Sequence, residues 1–148
     1  MSDARPFVDA VRKMMSGEAP PAPIAETIGM IVSEIGPDFA VFEMDTARRH
    51  ANPMGTLHGG VLCDLADGAM GMAWASELTT GETFTTLELK INFLKPVWET
   101  HLRAEARVVK RGRTVGLVAC DVRDAKGELV AHATSTLMTL RGEQAKGR

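Results

Sequence analysis

Between residues 59 and 77 the chain reads GGVLCDLADGAMGMAWASE, and Val61, Leu62, Leu65, Ala66, Ala69, Met70, Met72, Ala73 and Trp74 fall on most sides of a helix. A helix that is apolar around nearly its whole circumference has to be enclosed by protein. Whatever encloses it must come from the rest of 148 residues, a length sufficient for one sizeable core.

The flanks supply the wrapping. "MIVSEIGPDFAVFEMD" (30–45) reads as two short strands about a Gly36-Pro37-Asp38 turn. After the helix and a "TTGE" turn, four strand-like segments follow. "TTLELKINFL" alternates, which predicts Leu87, Leu89, Ile91 and Phe93 on one face and Thr86, Glu88, Lys90 and Asn92 on the other. "LRAEARVVKR" and "RTVGLVACDVRD" meet at a tight Arg111-Gly112 turn, and "ELVAHATSTLMTL" follows a turn at Asp124–Gly127. Short connections imply antiparallel neighbours. The expected architecture is α+β: a curved antiparallel sheet around one long central helix. Residues 1–23 form an N-terminal helix (3–16, capped by Asp3, with Phe7, Val8, Val11, Met14 and Met15 on one stripe) and a linker. "IAETIG" holds one helical turn. The main domain is expected over 24–141, with a polar tail over 142–148.

Charge excludes some functions. With 17 Lys and Arg against 19 Asp and Glu, nothing marks a nucleic-acid surface. No run approaches the roughly 18 apolar residues of a membrane span, and the N-terminus lacks the pattern of a signal peptide. A cytoplasmic protein is expected, with Cys63 and Cys120 reduced. His50, His101 and His132 show no metal-ligand spacing, so no metal and no cofactor are expected.

Two carboxylates, Asp64 and Asp67, interrupt the apolar helix, and burying either without a partner would be costly. Each is open to a solvated reading, and Asp67 also to pairing with an arginine of the sheet or to a working role in a pocket. Upstream, "GTLHGG" delivers a flexible turn into the helix start, where unpaired N–H groups point outward. Gly59 and Gly60 carry no side chain, so a ligand oxygen can reach their amides. Gly59 and Asp67 are eight residues apart, about 12 Å along a helix. A single carbonyl cannot touch both on one chain. If they serve one site, two chains must pack with these helices antiparallel across a twofold axis.

"ANPMGTLHGGVLCDLADGAMGMAWA" followed by "TTLELKINFLKPV" resembles the hotdog-fold acyl-CoA thioesterases of the phenylacetate-degradation (PaaI-like) type, over about residues 25–140. The resemblance implies a hydrolase that splits an aryl- or medium-chain acyl-CoA into free acid and coenzyme A. It implies a homo-oligomer with sites at the dimer interface, arranged as a dimer of dimers. It places Asp67 as general base or nucleophile and the Gly59 amide on the thioester carbonyl. His58 would position the thioester, Asn52 would orient the water or the carboxylate, and Thr86 would lie near the nucleophilic water. Asp64 matches no catalytic position. Coenzyme A carries phosphates, and the turn formed by Lys110, Arg111, Gly112 and Arg113 is the patch expected to face them, with Lys90 and Arg141 as further cations. Met54, Met70, Met72 and Trp74 are read either as pocket lining or as core. The alternatives are a hotdog-fold enoyl-CoA hydratase or dehydratase using His58 with Asp67, and a non-catalytic acyl-CoA-binding protein.

Overall fold

The computed structural model describes residues 4–148. The expected cap at Asp3 lies outside them. Helix α1 (Pro6–Ser16) and the short α2 (Pro23–Ile28) precede strands β1 (Met30–Gly36) and β2 (Phe39–Asp45). The central helix α3 (Gly59–Ala75) follows, then β3 (Thr83–Phe93), β4 (His101–Arg111), β5 (Val115–Arg123) and β6 (Leu129–Leu140). All six strands form one antiparallel sheet in the order β1-β2-β4-β5-β6-β3. β1 and β3 are therefore its two edges.

The sheet curls around α3 because the helix has no other way to leave water. Leu65, Ala66, Ala69, Met70, Ala73 and Trp74 have no exposed surface, and they pack on Leu102, Ala104, Ala106, Val118, Val122, Ala133 and Leu137 of the strands. Met70 and Trp74 are thus core residues, whereas Met54 is exposed and Met72 half-buried. The enclosure has one gap: Gly60 and Asp67 are exposed and Cys63 and Asp64 half-buried, a stripe one side chain wide along the helix. Helix α1 ends where Gly17 adopts a left-handed φ of 78°. It is anchored on β1 and α3, with Phe7 edge-on to Phe84 of β3.

The alternation expected for β3 breaks at one residue. The pairing with β6 runs Thr86 to Leu137 and then Glu88 to Thr136, so Leu87 is the extra residue of a β-bulge. Leu137, Ser135, Ala133 and Ala131 are buried on the inner face of β6. Their partners are Thr86, Leu89, Ile91 and Phe93. Thr86 therefore faces the helix with the apolar set instead of the polar one, and Leu87 is left exposed.

At the far end of α3, Arg111 locks three elements together. Its Nε and Nη2 donate to Asp38 Oδ1 at 2.8 and 2.6 Å, and Nη2 also donates to the Trp74 carbonyl at 2.8 Å. The guanidinium lies 4.0 Å from the centre of the Trp74 ring. Trp74 Nε1 donates to Thr139 Oγ1, so both ends of the indole are fixed. Gly116 is where β5 passes the ring: a Cβ there would lie 2.4 Å from both Trp74 and the Lys110 carbonyl. Gly116→Ala is expected to cost about 1–3 kcal/mol of stability by overpacking, read as a lower urea midpoint.

Candidate functional site

The loop before α3 is shaped by Asn52. Its Oδ1 accepts from the Met54 and Thr56 amides at 2.9 and 3.2 Å, and its Nδ2 donates to Thr56 Oγ1 at 2.7 Å. These bonds are internal to the loop, so on the single chain Asn52 shapes the approach to the helix and holds nothing beyond it. The Leu57 amide donates to the Val97 carbonyl and the His58 amide to the His50 carbonyl, which fixes the last two residues before the helix.

His58 is the helix N-cap, with no side-chain capping bond. Among the described residues, nothing accepts the N–H of Gly59 or Gly60. Two unpaired donors at the positive end of a 17-residue helix suit an oxygen that carries negative charge. The His58 ring lies against Gly60, where a Cβ would be 3.1 Å from it. Phe93, expected only as one of the alternating apolar residues of its strand, lies over Gly59: a Cβ there would be 2.8 Å from its ring. Only glycine leaves room for that aromatic ring beside the amide. Phe93 is 56% exposed, so the ring walls the helix start without being sealed in the core.

Two turns further along α3, Asp67 sits in the open stripe. Its Oδ1 accepts a hydrogen bond from Thr86 Oγ1 at 3.2 Å, made possible by the bulge at Leu87. Asp67 as a residue is exposed on the single chain. Enough protein still crowds its carboxyl for desolvation to raise it above the ordinary carboxylate range. The Thr86 hydrogen bond opposes that rise and the nearby Asp64 charge adds to it. No arginine of the sheet pairs with Asp67, and Asp64 has no hydrogen bond or ion pair among the described residues. A carboxyl with raised basicity, held at one oxygen by a hydroxyl, is equipped to take a proton at the other.

The turn between β4 and β5 departs from expectation in part. Arg111 points inward to Asp38 and Trp74, so its charge is spent on the fold. Gly112 serves the turn, its amide donating to the Val115 carbonyl. Lys110 and Arg113 are exposed and face solvent. They lie at the C-terminal end of α3, whereas Gly59 lies at its start.

Thr86→Val should raise the titration midpoint of Asp67, because the bond it removes favours the charged form. Asp64→Asn should lower it, because the charge it removes opposes ionisation. Carbon-detected NMR titration of the carboxyl reads both shifts.

Comparison with known proteins identifies the family and the fold. The Thioesterase superfamily profile matches residues 54–131, which hold most of the loop, α3, β3, β4, β5 and the start of β6. A phenylacetic acid degradation-related protein of Ralstonia eutropha superposes with a TM-score of 0.79 at 32% identity, covering 86% of this chain and 98% of the other. A thioesterase family protein of Silicibacter pomeroyi gives 0.80 at 29% identity, with 92% and 99% covered. Human acyl-coenzyme A thioesterase 13 is 28% identical over 68% of this chain and 72% of its own length. The wrapped central helix thus has relatives of the same fold, and the chain belongs to the thioesterase superfamily as a hydrolase of the hotdog fold.

Proposed function

We propose that the protein hydrolyses acyl-CoA thioesters, with aryl or medium-chain acyl groups, at sites shared between two subunits. One observation carries the reading. The unpaired Gly59 amide and the raised Asp67 carboxyl lie on one helix, about 12 Å apart along its axis. A reacting carbonyl needs the amide at hydrogen-bond distance and the carboxyl no further than one water away, a span short of that separation, so the second group must come from another copy.

Edge strand β3 supports the same pairing. It is 11 residues long, has a partner on one side only, and exposes Leu87 and Phe93. A long apolar edge of this kind calls for a covering strand. On β3, Thr86 stands by Asp67 and Phe93 stands by Gly59. Two copies meeting edge to edge and antiparallel set Thr86 of each opposite Phe93 of the other. The helix pairing and the strand pairing then deliver the same two half-sites to each other.

In the shared site, the Gly59 amide of one subunit polarises the thioester carbonyl, and its Phe93 ring packs against the acyl group. Asp67 of the partner subunit, with Oδ1 held by Thr86, takes a proton from water as the hydroxyl adds to the carbonyl carbon. The tetrahedral oxyanion rests on the amide, an effect worth about 10²–10³ in rate. Collapse breaks the C–S bond, and the Asp67 proton goes to the departing thiolate. Free acid and coenzyme A result. His58 lines the approach, and Asn52 sets the loop that presents it. Helix antiparallelism also brings Lys110 and Arg113 of the partner subunit to the end where Gly59 lies, as cations for coenzyme A phosphates.

Asp67→Asn should abolish most thiol release from acyl-CoA while leaving the dimer intact by light scattering. Gly59→Pro, which removes the amide N–H at a position where helices accept proline and pushes the Phe93 ring of the same half-site aside, should also abolish most thiol release. Mixing the two inactive proteins after co-unfolding should restore about a quarter of wild-type turnover, since half the dimers then hold one complete site of two. Mixtures that stay inactive would refute the shared site.

A further inference from the structure

A cavity lies beside the helix start, lined in part by the Asn52 loop. It measures about 700 Å³ and is bounded by the 310 turn after β2 (Arg48–His50), the Asn52 loop and the segment that leaves β3. Besides Asn52, whose carboxamide is bonded within its own loop, its lining includes Arg48, Trp98 and Glu99. Trp98 is 60% exposed, and Arg48 and Glu99 are exposed as well. None of the three side chains has a hydrogen bond or ion pair to any described residue.

The walls that carry them, by contrast, are tightly bonded. Thr46 Oγ1 donates to the Trp98 carbonyl at 2.7 Å and accepts from the Thr100 amide at 2.8 Å, which fixes the backbone of 98–100 on the end of β2. Buried His50 takes the Ala47 amide on Nδ1 at 2.9 Å, and its Nε2 lies 2.7 Å from the Ile28 carbonyl, holding the 310 turn. The Asn52 bonds fix the third wall. A rigid frame thus presents an aromatic face, a cation and a carboxylate to one open space. The other tryptophan, Trp74, is fully buried, so Trp98 is the tryptophan open to solvent.

These three groups match a purine nucleotide: a flat base, an exocyclic amine that donates, and phosphates. An apolar acyl group would leave the Arg48 and Glu99 charges desolvated and unpaired. We propose that the cavity takes the adenine nucleotide end of the thioester substrate, with the base stacked on Trp98, its amine donating to Glu99 and a phosphate on Arg48. The proposal rests on the acyl-CoA reading above and deepens it. Leu57 lines the cavity two residues before Gly59, so in this proposal one subunit holds the nucleotide and polarises the carbonyl, with the pantetheine arm folded between them. Lys110 and Arg113 of the partner subunit meet the phosphates from the other side.

The test uses the full-length Asp67→Asn protein and adenosine 3′,5′-bisphosphate. Because Trp74 is buried, quenching of the exposed Trp98 reports binding directly, whether or not the protein hydrolyses anything. Arg48→Ala should weaken that binding about tenfold or more, and Trp98→Leu should do so as judged by calorimetry. In the active protein, each change should raise KM for acyl-CoA with kcat little altered. The preference in kcat/KM for the acyl-CoA over the matching N-acetylcysteamine thioester, which lacks the nucleotide, should fall about tenfold. The bisphosphate should compete with acyl-CoA. Binding without competition would make the cavity a site for a free regulatory nucleotide and overturn the proposal. So would variants that leave both the binding and the substrate preference at wild-type values. Failure of hydrolysis with every acyl-CoA, alongside intact nucleotide binding, would instead count against the proposed reaction.

Discussion

The fold answers a single demand: α3 has apolar side chains on nearly every side, and only a sheet curved around it can keep them from water. Antiparallel strands joined by short turns provide that curvature in one sheet. The sheet still has two edges, and the gap between them leaves one narrow stripe of the helix open. Both carboxylates of α3 fall in that stripe. The position with the strongest reason to be buried and the position with the strongest reason to react are therefore separated by a rotation about a single helix.

The two ends of the helix are treated differently. At the C-terminal end, Arg111 fills the space with charge and stacking, tying the β1–β2 turn, the helix and the β4–β5 hairpin together. At the start, no side chain caps the helix, and His58, Gly59 and Gly60 leave the amides unpaired. A stabilising residue at that end would occupy the same donors that a developing oxyanion needs. Stability is concentrated where no chemistry is proposed.

Much of this was legible in the residues. Periodicity locates α3 and all six strands, and the spacing of Gly59 from Asp67 along the sequence is enough to raise the question of a second subunit. The bulge was not legible, because TTLELKINF alternates without a visible break, and the extra residue shows only in the pairing with β6. Thr86 consequently read as part of the solvated face. Arg111 read as a surface cation because a glycine-flanked basic turn looks the same whether its side chains point outward or onto Trp74. Phe93 read as one more alternating residue, with nothing to place its ring over Gly59. The Arg48–Trp98 cavity joins segments some fifty residues apart through the Thr46 and Leu57 backbone bonds, contacts that no local pattern encodes.

The bulge at Leu87 also bears on how such a chain can change over evolution. Losing that one codon would leave Thr86 opposite Leu137 and Glu88 opposite Thr136, so the strand would alternate without interruption and both faces would keep their residues. The threonine would still reach the carboxyl, and Leu89, Ile91 and Phe93 would keep their inward partners. The outward leucine is thus the most dispensable residue of the strand, and a chain one residue shorter there could keep the same two faces.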